Sequence, residues 1–190
     1  MTDVPIILGF DPTTLRERID VAAAEARLEE IGHLRSLSAM EEKVSLFRLL
    51  GRLDEAFSTA QAAYRQSRFT GSRTDALAAR VRRAQVQQEL GKRDAALVEL
   101  NGCVDEAVAH DWHLLAAFAL QHRGRLLFEL DDYRAALADF ERALELRTEH
   151  GAPNDHIQAS KFAVRATQSI LGGDAAPPSE LPEPLLSYDA

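Results

Sequence analysis

The feature that most constrains this chain is a residue pattern that occurs three times at a spacing of forty residues. Its best-preserved copy lies within residues 120–146 and places Leu130, Ala136, Phe140 and Ala143 in register. The equivalent positions in the two upstream copies hold Leu90, Ala96, Leu100 and Cys103, and then Leu50, Ala56, Ala60 and Ala63. A fixed period of this size, with small residues in register, indicates stacked supersecondary units that bury one face against the next.

Composition favours helices as the content of these units. The 190 residues are 46% hydrophobic and 27% charged, which is enough for one domain with a continuous core. Only 7 Pro and 10 Gly occur, and several stand at predicted helix edges. Ala, Leu, Arg and Glu fill much of the remainder, as is typical of an all-α protein.

The best copy resembles a tetratricopeptide repeat. The matching positions of the two helices and their turn are Leu120, Gly124, Leu127, Tyr133, Ala136, Phe140 and Ala143. The resemblance covers roughly residues 38–173, although Arg80, Arg83 and Gln87 replace apolar residues in the middle copy. It implies an all-α α-solenoid, a right-handed superhelical array of antiparallel helix hairpins. The period exceeds the usual 34 residues, which implies longer helices, as in kinesin light chains and bacterial peptide-sensing regulators.

Helix signals divide the chain into three parts. An apolar, proline-interrupted segment over residues 1–11 is expected to lie extended against the array. Residues 12–173 form one domain, in which Asp11 and Pro12 begin a cap helix that ends near Leu34. Ser38 and Glu41 form a capping box for the first repeat. The repeat helices are predicted at residues 39–50, 54–68, 74–90, 95–109, 112–130 and 132–149, and a C-terminal cap helix at 155–171.

The last part, residues 174–190, is an acidic, proline-rich segment that predicts a flexible tail. Its leucines nevertheless give it apolar anchors for a groove. The net charge of −8 argues against nucleic acid and anionic membrane as partners. The sequence contains no apolar run of 18 residues and no export signal, so we expect a cytoplasmic protein without a membrane segment.

No residue pattern indicates catalysis. Phosphate-binding loops, nucleophile motifs and triad arrangements are missing from the sequence, so we expect no enzyme activity and no cofactor. His110 and His113 flank a helix junction, but no third ligand is nearby in the sequence, and we expect no metal site. Cys103 falls in a small-residue position and is interpreted as a packed thiol.

A ligand of such an array would contact the first helix of each pair on the side turned away from the hairpin core. A rotation of about 100° from the core stripe selects these positions. The candidate partner-binding residues are Arg48, Gln85, Gln88, Glu89, Phe118, Gln121, Arg125, Phe128 and Glu129, with His122 beside them. Amide and arginine donors suit an extended peptide, whereas the alternative is that they are ordinary solvated positions. The family's Lys and Asn clamp for a C-terminal carboxylate is missing from these stripes, so chaperone-tail binding is not predicted.

Three hypotheses follow for function. The first is a non-catalytic module that binds an extended peptide or a partner helix in the concave groove. The second is a self-associating scaffold, a homodimer in which the N- or C-terminal segment fills a neighbour's groove. The third, weaker hypothesis is that a basic patch docks an acidic protein or nucleic acid, and the patch consists of Arg73, Arg80, Arg82 and Arg83.

Overall fold

The computed structural model of the protein describes residues 5–70 and 72–173, and the predicted tail lies outside them. Within this part, two short strands, β1 (Ile7–Phe10) and β2 (Glu17–Ile19), precede eight helices. The helices are α1 (Val21–Ile31), α2 (Leu37–Leu49), α3 (Leu53–Thr70), α4 (Arg73–Glu89), α5 (Arg93–Ala109), α6 (His113–Glu129), α7 (Tyr133–Glu149) and α8 (Asn154–Gly172). None of the helices in the described residues is long and apolar enough to cross a bilayer.

The helices form an array of stacked pairs, which confirms the predicted all-α fold. Each helix from α2 onward packs against the next one, and α4 also contacts α2 and α6. The first helices of successive pairs therefore adjoin along one side of the array. Helices α3, α5 and α7 begin at Leu53, Arg93 and Tyr133, at intervals of forty residues. From α2 onward, the observed helix ends lie within two residues of the predicted ones.

The small residues in register form the contact layer between the helices. Ala56, Ala96 and Ala136 stand at equivalent positions on α3, α5 and α7, and none of them is exposed to solvent. Cys103, in another of these positions, is also fully buried. Burial raises the pKa of its thiol to about 12. It is therefore a packed thiol rather than a reactive thiolate at neutral pH.

Two helix N-termini differ from the sequence prediction. Ser36, rather than Ser38, caps α2, because its hydroxyl accepts a hydrogen bond from the Ala39 amide at 3.3 Å. At α8 the cap position is Pro153, and Asn154 is already the first helical residue without a capping contact. Gly51 and Gly91 follow α2 and α4 with φ of 71° and 77°, and these left-handed turns end the two helices.

The prediction of a cap helix from Asp11 to Leu34 was wrong at its N-terminal half. The Asp11 carboxylate accepts hydrogen bonds from the Thr13 and Thr14 amides at 2.8 and 2.9 Å, and so caps a turn instead of a helix. The turn ends at Leu15, whose φ is 55°, and β2 then pairs antiparallel with β1. An Asp-Pro pair serves a turn as well as a helix start. The predicted domain boundary after residue 11 therefore falls inside a β-hairpin.

Candidate functional site

The N-terminal hairpin, β1 and β2 with their turn, lies in the groove between α2, α4, α6 and α8, which we call the concave groove. The Phe10 ring packs against the Phe162 ring of α8, with centroids 5.7 Å apart. Leu15 is only 3% exposed and joins the same apolar cluster, which also includes Phe128 of α6. The groove predicted for a ligand is therefore occupied by a segment of the same chain.

One carboxylate of the hairpin links two helices of the groove. Arg125 of α6 donates to both carboxylate oxygens of Glu17, from Nη1 to Oε1 at 2.6 Å and from Nη2 to Oε2 at 2.9 Å. Arg48 of α2 donates from Nη2 to Oε1 of Glu17 at 3.0 Å. Arg48 also donates to Glu89 of α4 at 2.8 Å. Two-pronged contacts between arginine and carboxylate are the strongest class of protein hydrogen bond, and they fix orientation as well.

The surroundings keep this carboxylate charged. The Glu17 side chain is 8% exposed, and burial by itself would raise its pKa. The positive charges of Arg125 and Arg48 outweigh burial and hold the pKa of Glu17 well below its ordinary value of 4.5. The hairpin thus presents an ionised carboxylate to the groove at neutral pH and at mildly acidic pH.

His122 of α6 lies beside this cluster as a neutral imidazole. Its Nδ1 is 2.7 Å from the Gln85 side-chain nitrogen of α4, and its ring meets the Phe118 ring edge to face at 4.7 Å. Burial lowers the pKa of His122 well below 6.5, and the nearby charges of Arg125 and Arg48 lower it further. His122 can therefore serve as a hydrogen-bonding group without adding charge.

A second buried arginine stands at the far end of the groove. Arg147 Nη1 donates to the His156 carbonyl oxygen and the Ser160 hydroxyl, both at 2.8 Å, and to Gln121 Oε1 at 3.3 Å. Ser160 also donates to Gln121 Oε1 at 2.7 Å. Burial lowers the pKa of Arg147 to about 10, which still leaves it positively charged at neutral pH. This network ties α6, α7 and α8 together.

A cavity of about 140 Å³ remains between the hairpin and the helices. Aromatic and aliphatic side chains form part of its wall, and polar groups, four of them arginines, form the rest. An engineered apolar cavity of similar size holds one benzene molecule. With the hairpin in place, the cavity accepts a group the size of one side chain, and an extended peptide does not fit.

The structure brings most of the candidate binding residues to this region. The cavity is lined by Arg48, Gln85, Phe118, Gln121 and Arg125. An adjoining narrow cleft is lined by Gln88, Glu89 and Glu129, together with Arg16 of the hairpin. Phe128 lies instead in the apolar cluster that the hairpin covers.

The sequence pattern did not identify two charged residues of the groove. Glu17 was placed on a predicted helix, and no local signal marks it as a groove residue. Arg147 belongs to the second helix of its pair, which lies outside the stripes that the 100° rotation selects.

The four arginines of the predicted basic patch are not brought together on one free surface. Arg80 donates to Glu106 of α5 at 2.7 Å, and Arg83 donates to Glu99 of the same helix. Arg73 also lies within 3.4 Å of Glu106. Arg82 points the other way, into the concave groove, where its guanidinium lies 5.2 Å from the centre of the Phe118 ring.

Comparisons with known proteins agree with this architecture. The family model described as "Tetratricopeptide repeat" matches residues 119–150, which cover α6, α7 and the turn between them. The fold is similar to the crystal structure of BtubC (BKLC) from P. vanneervenii, with a TM-score of 0.51. The alignment covers 89% of this chain and 79% of that chain at 17% identity, so the likeness concerns the fold alone. No curated protein matches the sequence.

Tetratricopeptide repeats are in general protein-interaction modules, and the residues that carried the resemblance in the sequence lie in the matched repeat. The chain therefore contains a tetratricopeptide repeat at residues 119–150, within an array of stacked helix pairs.

Proposed function

We propose that the protein is a non-catalytic interaction module whose concave groove binds an extended peptide, or a partner helix, that carries a carboxylate. The observation that supports this most directly is the convergence of Arg48 and Arg125, from two different helices, on the single carboxylate of Glu17. The hairpin supports this choice of ligand, because it occupies the groove with an extended backbone, one acidic side chain and flanking apolar residues.

The other groove residues suit the same ligand. Gln85 and Gln121 offer amide groups for hydrogen bonds, and Phe118 offers an aromatic wall. Because the remaining cavity is small, a partner must displace the hairpin before it reaches the arginines. The apparent affinity of the partner is then lower than its affinity for the open groove, because part of the binding free energy is used to displace the hairpin.

An array of ten-residue synthetic peptides tests this proposal. Each sequence is present twice, with Glu or with Gln at its centre, and the probe is the full chain carrying Glu17→Gln to weaken the hairpin contact. We expect the Glu member of apolar-flanked pairs to bind at least tenfold more tightly, since charge-assisted hydrogen bonds contribute about 1.5–3 kcal/mol each.

Adding Arg125→Gln to the probe should abolish the preference for Glu. Arg134→Gln, which changes an exposed arginine of α7, is the matched control and should keep it. Equal binding of Glu and Gln peptides, or a preference that survives Arg125→Gln, would contradict the proposal.

A second candidate function is self-association, in which the N- or C-terminal segment fills the groove of a second copy. It is supported by the hairpin itself, because a segment that fits its own groove makes the same contacts in a neighbour's groove. The basic-patch hypothesis has less support. An acidic partner would have to compete with Glu99 and Glu106 for the arginines of α4.

A further inference from the structure

The groove-binding strand of the hairpin and the C-terminal tail carry the same short pattern. Residues 15–19 read Leu-Arg-Glu-Arg-Ile, and residues 181–185 read Leu-Pro-Glu-Pro-Leu. In each, a glutamate stands two positions from an aliphatic residue on either side. The second copy lies outside the described residues, in a tail with four acids and no base.

Two of the three positions that the copies share contact the groove. Glu17 binds the arginines, and Leu15 is buried in the apolar cluster. The residues that differ are Arg16 and Arg18, whose side chains are exposed, and Arg16 adds one ion pair with Glu129 of α6 at 3.5 Å that the tail pattern lacks. Proline at these two positions favours an extended backbone and lowers the conformational entropy lost on binding. The tail pattern therefore keeps the two residue types, an aliphatic residue and a glutamate, with which the hairpin strand contacts the groove.

The tail is long enough to reach the groove of its own chain. Phe162, in the groove wall, and Gly173, at the end of α8, are separated by about 16 Å of helix. The ten residues from Gly173 to Glu183 can extend over about 33 Å. The tail can thus turn back along α8 and bring Glu183 to the two arginines.

We propose that residues 181–185 bind in cis to the site formed by Arg48 and Arg125, and that they compete there with the hairpin. The proposal rests on the function proposed above. Glu183 takes the place of Glu17, and Leu181 takes the place of Leu15. The hairpin and residues 181–185 then both compete with an outside partner for the groove. A partner binds only after it displaces whichever of the two segments occupies the site.

A competition experiment on the full-length chain tests this. The probe is a fluorescent synthetic peptide of residues 177–188, and binding is measured by anisotropy. The host chain carries Glu183→Gln, which disables its own tail, with or without Glu17→Gln. We expect at least tenfold tighter binding when Glu17→Gln is present, because the hairpin contact then no longer blocks the arginines.

Two variants of the peptide provide a matched comparison. Glu183→Gln in the peptide should weaken binding at least tenfold, whereas Glu180→Gln removes the same charge three positions away and should leave binding unchanged. Equal effects of the two changes would overturn the proposal, and so would binding that is indifferent to Glu17→Gln in the host. Glu17→Asp, which retains the charge, should give an intermediate affinity and covers the case in which Glu17→Gln unfolds the chain.

Binding of a second peptide, residues 13–20 of the hairpin, distinguishes failure of the tail proposal from failure of the proposed function. If the hairpin peptide binds the doubly substituted host and the tail peptide does not, the tail proposal fails and the groove remains a peptide site. If neither peptide binds a host that retains its helical circular dichroism, both fail. A full-length Glu17→Gln chain that becomes dimeric through its tail would overturn binding in cis.

Discussion

At the level of single residues, Gly124 of α6 faces the Phe140 ring of α7 and has no room for a side chain. A Cβ atom at Gly124 would lie 2.6 Å from Cε1 and 2.8 Å from Cδ1 of Phe140, and Phe140 has no exposed surface. Because the ring is fully buried, it could make room for a Cβ atom only by shifting against its core neighbours. Gly124 therefore allows α6 and α7 to approach each other at this point.

We expect Gly124→Ala to destabilise the protein by about 1–3 kcal/mol, the usual cost of overpacking a core. Gly102→Ala on α5 is the matched control. There the nearest atom is the end of the Arg80 side chain at 3.3 Å, so the higher helix propensity of alanine should stabilise the chain by up to about 1 kcal/mol. Urea unfolding followed by circular dichroism measures both values. Equal effects of the two substitutions would contradict this packing.

His122 makes stability depend on pH in a defined window. Its pKa in the folded chain lies well below 6.5, mainly because of burial. Below pH 6.5 the unfolded chain therefore binds a proton that the folded chain does not, and stability falls on acidification. The slope of its contribution is up to about 1.4 kcal/mol per pH unit, down to the pKa of the folded state.

We expect His122→Gln to remove this slope between pH 6.5 and pH 5, while His33→Gln, at an exposed position after α1, keeps the wild-type slope. Free energies of unfolding from urea titrations at several pH values test this. Parallel curves for wild type and His122→Gln would show that the imidazole does not carry the pH dependence.

At the scale of elements, the hairpin depends on the helices it covers. A two-stranded hairpin is at best marginally stable by itself in water. Here Phe10 and Leu15 supply apolar burial, and Glu17 supplies the contacts with α2 and α6. Removal of the Glu17 charge should therefore release the hairpin more readily, while the helical array keeps its own core.

Trypsin offers a direct measure, because it cleaves after arginine and Arg16 and Arg18 flank Glu17. We expect Glu17→Gln to accelerate cleavage at these two sites at least tenfold, since the loss of more than about 1.4 kcal/mol raises the open population by that factor. Glu55→Gln, which removes an exposed ion pair with Arg52, should leave the rate unchanged. An unchanged rate for Glu17→Gln would mean that apolar contacts alone hold the hairpin.

For the molecule as a whole, the hairpin in the groove affects the expected oligomeric state. A groove filled by its own hairpin leaves only a cavity of about 140 Å³ there, which is too small for a segment of a second copy. We expect the full-length chain to be a monomer of 21.0 kDa by light scattering. A chain ending at Gly173 should also be monomeric, because this truncation leaves α1 to α8 intact. A dimer that becomes a monomer on truncation would instead favour exchange of the tail between copies.

The helical array could be predicted from the amino-acid sequence. The spacing of apolar residues, the glycines after α2 and α4 and the small residues in register are local or periodic signals, and each helix pair repeats them. The same signals placed Arg48 of α2 and Arg125 of α6 on the groove side of their helices. Helical geometry alone determines which residues of a helix share a side.

The segment that fills the groove could not be predicted in this way, because long-range contacts hold it there. Glu17 and Arg125 are 108 residues apart in sequence, and no periodicity relates a turn-flanked glutamate to an arginine at that distance. Asp11 and Pro12 fit a turn and a helix start equally well, and packing of Phe10 and Leu15 on α6 and α8 selected the turn. Likewise, the carboxylates of α5 that neutralise Arg80 and Arg83 adjoin them only after the helices have paired. Charge partners and groove occupants are set by long-range contacts, which a local pattern does not encode.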